Sequence, residues 1–177
     1  MKPYPEAYID YLLYFHAQRD YFECHEVMEE FWKEHPGDAR SRTYVALIQI
    51  AVGMYHIRRG NRNGAVKMLQ SAGRNAEAPH VLSLGLDPDK LQELLIQVWS
   101  SIERDEFLYK DINLPITDSE LIDFCLEECE RRGLKWQAPS LMEDELLIQK
   151  HTRRDRSEVI NERARQQQIR KEKGGAR

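Results

Sequence analysis

The stretch from Ser41 to Arg59, SRTYVALIQIAVGMYHIRR, limits the choice of fold more than any other part of the chain. When it is plotted as a helix, its middle is apolar almost all the way round, which is typical of a helix surrounded by other elements. Such a helix needs neighbours on every side to cover it. We therefore expect a bundle in which this helix is central.

A polar stripe interrupts that apolar helix. Arg42, Gln49 and His56 follow one another at intervals of seven residues, so they share one side of the helix. Buried polar side chains need hydrogen-bond partners. A neighbouring helix must therefore present polar groups to this stripe.

The preceding segment, DYFECHEVMEEFWK, is where we expect those partners. Asp20 is a good N-cap and Glu23 stands three residues later, which predicts a helix over about 20–34. His25 and Glu29 lie one turn apart and fall between the apolar and the solvated arcs. Glu26 falls on the solvated arc.

These two helices together predict a semi-buried polar cluster between the second and third helices. Its centre would be formed by His25, Glu29, Gln49 and His56. The wider set of candidate ligand-binding residues is His25, Glu26, Glu29, Trp32, Arg42, Gln49 and His56.

Helical spacing continues along the rest of the chain, and no segment shows the alternation of a strand. We expect further helices at about 5–18, 64–76, 87–107 and 117–132, the last opened by a capping box of Thr117 and Glu120. A loop should cover 77–86, an extended segment 111–116, and a final helix should begin at Ser140. The fold class is therefore all-α: a compact bundle of about six helices with an additional C-terminal basic helix or disordered tail.

Charge is distributed unevenly along the chain. The formal net charge is −4, but residues 150–177 hold ten Lys or Arg and four Asp or Glu, a balance of +6, against −10 for residues 1–149. We divide the chain into a helical domain, 1–136, and a charged, basic extension, 137–177. The extension could bind nucleic acid or an acidic protein, or the acidic body itself. Its interleaved acids and lack of aromatics favour a solvated helix instead.

Cysteine content and hydropathy bear on the compartment. Cys24, Cys125 and Cys129 form no disulfide framework and are expected to be buried thiols. Acidic residues interrupt the N-terminal apolar run, and no stretch approaches the length of a membrane span. We expect a cytoplasmic protein that makes no membrane contact. The sequence does not identify its partners, and assembly into a homo-oligomer is one of the alternatives left open.

The segment HEVMEEFW, with His25, Glu26, Glu29 and Trp32, resembles the H-E-x-x-E-x-x-W signature of the DUF309 family. The block Leu47–Ala65, LIQIAVGMYHIRRGNRNGA, is similar to that family's second block. The resemblance covers about residues 8–115 and leaves out the tail from about 137. It implies an all-helical fold and the place of a site, and it implies no reaction.

Three interpretations of the predicted cluster remain open. The favoured one is a structural network in an interaction or scaffold protein, in which Glu29 pairs with Arg42 or His56. The second is a small-ligand or acid/base site, possibly in a hydrolase-type enzyme, so enzymatic activity stays undecided. The third is a divalent metal held by His25, Glu29 and His56, which the absence of H-E-x-x-H disfavours. We expect no cofactor.

Overall fold

The chain forms a helical bundle around the helix predicted to be central. The computed structural model describes residues 3–106, 108–153, 164–165, 167–169 and 171. Its helices are α1 (Glu6–Leu13), α2 (Tyr21–Glu34), α3 (Ser41–Arg58), α4 (Arg62–Asn75), α5 (Ala78–Ser83), α6 (Pro88–Glu103), α7 (Ser119–Arg131), α8 (Glu145–Ile148) and α9 (Lys150–Arg153). Within these ranges the β-type pairing is limited to an isolated bridge between Leu86 and Ile116. The all-α fold class is confirmed.

Helix α3 lies between α2 and α4, as its apolar surface requires. Leu47, Ile50 and Met54 are each at most 1% exposed. Gly53 allows α4 to approach closely, because a Cβ added there would lie 2.8 Å from Leu69 Cδ2. The α3–α4 contact therefore depends on a missing side chain.

A tight turn joins α1 to α2. The chain leaves α1 through a π-helical turn, Tyr14–Gln18, and Arg19 then adopts a left-handed conformation with φ of 52°. The Asp20 carboxylate accepts a hydrogen bond from the Glu23 N–H at 3.1 Å, which confirms the predicted N-cap of α2.

Two predictions for the middle of the chain were wrong. The expected loop at 77–86 contains α5, because Pro79 occupies its first turn, where proline's missing N–H is tolerated. The helix expected to reach 107 ends at Glu103, where Asp105 turns to a φ of 57°; residue 107 itself lies outside the described residues.

Two predicted helix starts near the C-terminus were also wrong. Asp118, not Thr117, caps α7 by accepting from the N–H groups of Glu120 and Leu121. Ser140 does not open a helix, because its side chain bonds to Asp111 instead, and Asp144 caps the short α8.

The first part of the predicted extension lies against the bundle. Trp136 stacks on His16 at 4.6 Å between ring centroids, and the carbonyl of Ala138 accepts from Arg19 Nε at 2.8 Å. Residues 164–165, 167–169 and 171 are helical and exposed, whereas 154–163 and 172–177 lie outside the described residues. The boundary at 136 stays a prediction.

The three cysteines are buried, unpaired thiols, which confirms their expected role as small core residues. Burial, with Asp20 nearby, raises the pKa of the Cys24 thiol well above its usual range. Throughout the described part of the chain, every helix is too short or too polar to cross a lipid bilayer.

Candidate functional site

The signature residues of α2 form a ladder of ion pairs along one side of that helix. Glu29 stands at the centre, with its Oε2 2.7 Å from His25 Nε2 and its Oε1 2.5 Å from Lys33 Nζ. Successive partners are four residues apart, which is the spacing at which helical side chains meet. Glu26 Oε1 adds a contact at 3.3 Å from His25 Nδ1.

This ladder lies at the surface rather than in the core. The side chains of His25, Glu29 and Glu26 are 28%, 32% and 41% exposed. Burial raises the pKa of Glu29, but the hydrogen bond and charge of Lys33 and the charge of His25 outweigh it, so the pKa is lowered. Glu29 is therefore ionised at neutral pH.

Both ring nitrogens of His25 lie within ion-pair distance of carboxylates on the same helix. A general base needs a nitrogen that can reach the proton it removes, and a metal ligand needs a nitrogen lone pair directed at the ion. In this arrangement a substrate or a metal ion would have to displace Glu26 or Glu29 to reach a His25 nitrogen.

A groove runs along the outer side of α2, next to the turn that follows α1. It has a volume of about 570 Å³. We call it the acidic groove; its lining residues are Tyr14, Glu23, Glu26, Val27, Glu29, Glu30, Lys33 and Glu34. Five glutamates and one lysine give this lining a formal balance of −4.

Trp32 has a structural role at the end of α2. Its indole Nε1 donates to Ser41 Oγ at 2.7 Å, which ties the last turn of α2 to the first turn of α3. Trp32 is partly buried, and the N–H of a tryptophan at such a position normally finds a partner of this kind.

The polar stripe of α3 finds its partners on α4, and the expected contact with α2 is a misprediction. Gln49 Oε1 accepts from Asn75 Nδ2 at 2.9 Å, and Asn75 Oδ1 accepts from Arg42 Nε at 3.1 Å. His56 Nδ1 accepts from the amide of Asn61 at 3.3 Å. Asn61 and Asn75 stand at the two ends of α4.

No hydrogen bond or ion pair in the described structure joins the α2 ladder to Gln49 or His56, so the predicted cluster is divided into two groups. The expected pairing of Glu29 with Arg42 or His56 is likewise replaced, since Glu29 bonds to His25 and Lys33. A period of seven shows that residues share one side of a helix, but not which neighbour that side faces.

The three candidate metal ligands, His25, Glu29 and His56, are likewise divided between the two groups. Among the described residues, no three His, Cys, Asp or Glu side chains come together so as to hold an ion. His25 and Glu29 remain a pair, and His56 bonds to Asn61 instead. Burial and the nearby Arg59 charge lower the pKa of His56.

A buried polar network that the sequence did not predict lies at the other end of α2. Arg19 is only 2% exposed, and its guanidinium donates four hydrogen bonds. The acceptors are the carbonyls of Phe15, Ile112 and Ala138 and the side chain of Asn113, at 2.7–3.3 Å. One side chain thus joins the π-helical turn, the extended segment and the C-terminal segment, and these bonds compensate for its left-handed backbone.

Arg58, at the end of α3, is the second arginine of this network and is 5% exposed. Its Nη1 donates to the Arg19 carbonyl at 2.7 Å and to Ser140 Oγ at 3.0 Å. The guanidinium carbon lies 4.5 Å from the centre of the Tyr21 ring, a cation–π distance. Its Nε and Nη2 find no hydrogen-bond partner among the residues that the structure describes.

Asp111 supplies the negative charge of the network. It accepts from the N–H and Oγ of Ser140, at 2.7 and 2.5 Å, and from the hydroxyls of Tyr109 and Tyr21, at 2.7 and 3.1 Å. Burial raises the pKa of Asp111, but these hydrogen bonds and the Arg19 charge outweigh it, so the pKa is lowered.

The C-terminal segment is held further along at α9. Lys150 Nζ lies 2.7 Å from Asp20 Oδ2 and 3.1 Å from Glu23 Oε1. The backbone N–H of His151 donates to the Tyr55 hydroxyl at 3.1 Å. The start of the basic tail is therefore fixed at the first turn of α2, beside the acidic groove.

No local signal announced this network. Apart from the Arg19–Phe15 and Tyr109–Asp111 bonds, the network links residues about 30 to 120 positions apart. The hydrophobic pattern of α3 alone does not show that Arg58 is buried. The only available sign was that Arg58 continues the helix whose middle is fully covered.

The comparisons with known proteins identify a family and a relative, and neither has a described function. The sequence model of DUF309, described as a domain of unknown function, matches residues 8–68. The chain is 47% identical over 170 residues to the uncharacterized protein YpuF of Bacillus subtilis strain 168, covering 95% of this chain and 97% of that protein. The family model thus matches a shorter range than the expected 8–115, whereas the match to the Bacillus protein covers most of residues 137–177 as well. No solved structure matches.

Proposed function

We propose that this chain, which belongs to the DUF309 family of domains of unknown function, is a non-catalytic interaction domain. In this proposal its acidic groove binds a basic segment of a partner protein. The observation that carries the proposal is the charge of the groove. The lining of this single concave surface contains five glutamates and one lysine. Such a surface attracts cationic chains and repels nucleic acid phosphates.

The position of two glutamates supports binding rather than helix stability as their role. Glu34 is the last residue of α2, where negative charge is unfavourable to the helix macrodipole. Glu30 lies four residues from both Glu26 and Glu34, a spacing at which like charges are unfavourable. Neither is among the ion pairs of the ladder, which uses Glu26 and Glu29. Their charge therefore works against the helix and contributes to the groove.

The side chains that would have to carry a reaction are poorly placed for it. Both nitrogens of His25 are engaged, and Glu29 is held in its ionised form by its neighbours. Cys24 is fully buried with a raised pKa, so it is not an activated nucleophile. These features favour an interaction domain over a hydrolase.

A peptide-binding experiment tests the proposal. The probe is a fluorescent peptide of about twelve residues that alternates arginine and alanine, with a glutamate–alanine peptide as the control probe; binding is measured by anisotropy as salt is raised. We expect binding of the basic peptide only, with affinity falling as salt increases. The double variant Glu30→Lys, Glu34→Lys should weaken it by about tenfold or more at low salt.

The matched control is Glu93→Lys, Glu127→Lys, which makes the same charge change at exposed positions of α6 and α7. It should lower affinity only slightly, through the change in net charge. Equal losses in the two double variants would mean that binding is non-specific, and the proposal would be withdrawn. So would the absence of basic-peptide binding at low salt.

A further inference from the structure

The acidic groove and the C-terminal tail of the same chain carry opposite charges of equal size. We propose that the groove is occupied, in the free protein, by the chain's own basic tail, residues 154–177, so that a partner must displace the tail. This inference rests on the proposed function of the groove as a surface for basic segments.

Charge complementarity is the first support. Residues 154–177 contain eight Lys or Arg and four Asp or Glu, a formal balance of +4. The groove lining has a balance of −4. Part of the groove charge is already paired, since Lys150 lies 3.1 Å from Glu23 and Lys33 lies 2.5 Å from Glu29. The charge that remains is still negative, and bringing a basic segment to it lowers the electrostatic energy at low ionic strength.

The point where the tail begins is the second support. Lys150 bridges Asp20 and Glu23, and Glu23 also lines the acidic groove. Burial lowers the pKa of Lys150, but its bonds to the two carboxylates outweigh it and raise the pKa, so the ammonium stays charged. A cation of the C-terminal segment thus already contacts one end of the groove.

The contacts around Lys150 fix this end in place. Gln149 Oε1 accepts from Arg59 Nε at 3.1 Å, and the His151 ring contacts the Tyr55 ring edge-on at 5.5 Å. The described residues of α9 run to Arg153, so the first residue of the tail, 154, is four positions along the chain from Lys150.

The tail is long enough to follow the groove. The fourteen residues of α2 span about 21 Å at 1.5 Å per residue. Twenty-four residues of tail span about 36 Å as a helix and about 80 Å when extended. A segment attached at one end of its binding site also has an effective concentration on the order of millimolar, so weak contacts suffice.

In this proposal the tail binds the groove by electrostatic attraction rather than by burying apolar side chains. The described residues Ala164, Arg165, Gln167, Gln168, Ile169 and Lys171 are all exposed. An association of this kind is screened by salt, since exposed charges lose most of their interaction beyond about 10 Å at 0.1 M ionic strength. Salt dependence is therefore part of the proposal.

Paramagnetic relaxation in the full-length protein tests it. A nitroxide is attached to Gln167→Cys; the three native cysteines are buried, so the label goes to the new thiol. We expect broadening of the Tyr14 and α2 amide signals at about 20 mM salt and its loss at about 500 mM. The control label at Gln97→Cys, exposed on α6, should give a pattern that does not change with salt.

A mixed sample identifies which tail occupies the groove. Spin-labelled protein without isotope is added to isotope-labelled protein without spin label, so that only intermolecular contacts cause broadening. We expect none along α2. Broadening in this sample alone would assign the groove to the tail of a second copy. Absence of broadening from both samples at low salt would show that no tail occupies the groove. Either result overturns the inference.

Peptide binding separates this inference from the proposed function. In the variant Arg163→Gln, Arg165→Gln, Arg170→Gln, Lys171→Gln, the competing charge of the tail is removed, so the basic peptide should bind about three- to tenfold more tightly. Unchanged affinity overturns the tail inference while the function of the groove stands. If this variant binds no basic peptide, the function of the groove itself is refuted.

Discussion

Replacing Asp111 with asparagine removes one charge from the buried network while keeping the size of the side chain. The carboxylate accepts four hydrogen bonds, two of them from Ser140 at 2.7 and 2.5 Å. Asparagine keeps one oxygen acceptor, and its amide nitrogen can only donate. At least one donor of the network, either the Ser140 N–H or a hydroxyl, must therefore lose its acceptor.

The expected loss of stability follows from that geometry. A hydrogen bond to a charged group contributes about 1.5–3 kcal/mol, and a buried donor left without a partner costs about 1–3 kcal/mol. Because Asp111 is half-buried, water can replace part of what is lost. We expect Asp111→Asn to lower the free energy of unfolding by about 2–3 kcal/mol.

The assay is urea unfolding followed by circular dichroism, together with amide hydrogen exchange. The Ser140 N–H, which donates to Asp111, should exchange faster in the variant. The control is Asp123→Asn, the same substitution at an exposed position of α7. If Asp111→Asn changes the free energy of unfolding by less than about 0.5 kcal/mol, as expected for a surface site, the network does not hold the C-terminal segment.

The pH dependence gives the same substitution a second readout. The pKa of Asp111 is lowered in the folded state, so its ionised form contributes stability above the unfolded pKa of about 3.9. That contribution is lost as pH falls through the lower, folded pKa. The difference in stability between the wild type and Asp111→Asn should therefore shrink on acidification below about pH 4.

Three further substitutions test other parts of the structure. Glu29→Gln should cost less than about 1 kcal/mol in urea unfolding, because its ion pairs are partly solvated; a cost above 2 kcal/mol would place Glu29 in a buried network after all. Gly53→Ala should destabilise by about 1–3 kcal/mol through its clash with Leu69, whereas Gly37→Ala, with nothing within 4 Å, should not. Burial lowers the pKa of His16 to about 3, so on acidification the unfolded chain binds a proton at this residue before the folded chain does. The stability of the fold therefore falls as pH drops below about 6.5. His16→Gln should remove about 1.4 kcal/mol of that loss per pH unit, measured by urea unfolding between pH 7 and 5; an unchanged slope would contradict the neutral buried imidazole.

Local features of the fold could be predicted from the sequence because their causes lie within one turn of helix. The Asp20 cap of α2 and the central position of α3 follow from a capping residue and an apolar circumference. The cap of α7 was misassigned by one residue, since Thr117 and Asp118 are both good caps and only the structure distinguishes them.

Features that depend on distant contacts were not predictable in the same way. Ser140 has the sequence of a helix cap, but its side chain serves Asp111, 29 residues earlier. The stripe of Gln49 and His56 was correctly placed on one side of α3, yet that side faces α4 rather than α2. The candidate site changed accordingly, from a cluster between two helices to a charged surface on one of them.

The difference between local pattern and distant contacts also explains why the signature residues of α2 lie near the surface. His25 and Glu29 were assigned to the boundary between the apolar and solvated arcs and to a semi-buried cluster. Phe22 does lie between His25 and Tyr55, with ring centroids 6.0 Å from each. It fills the space toward α3, and the polar pair is left on the outer side of α2.

The most direct measurement of the acidic groove is a titration of isotope-labelled, full-length protein with the unlabelled basic peptide, followed by amide chemical shifts at low salt. Within the body of the protein we predict saturable shifts confined to Tyr14 and residues 23–34, accompanied by shifts of the tail, 154–177, as the peptide displaces it; the groove shifts disappear in the Glu30→Lys, Glu34→Lys variant. Shifts centred elsewhere, such as the groove lined by Tyr109 and Asn113 between α6 and the extended segment, or no shifts at millimolar peptide, would contradict it.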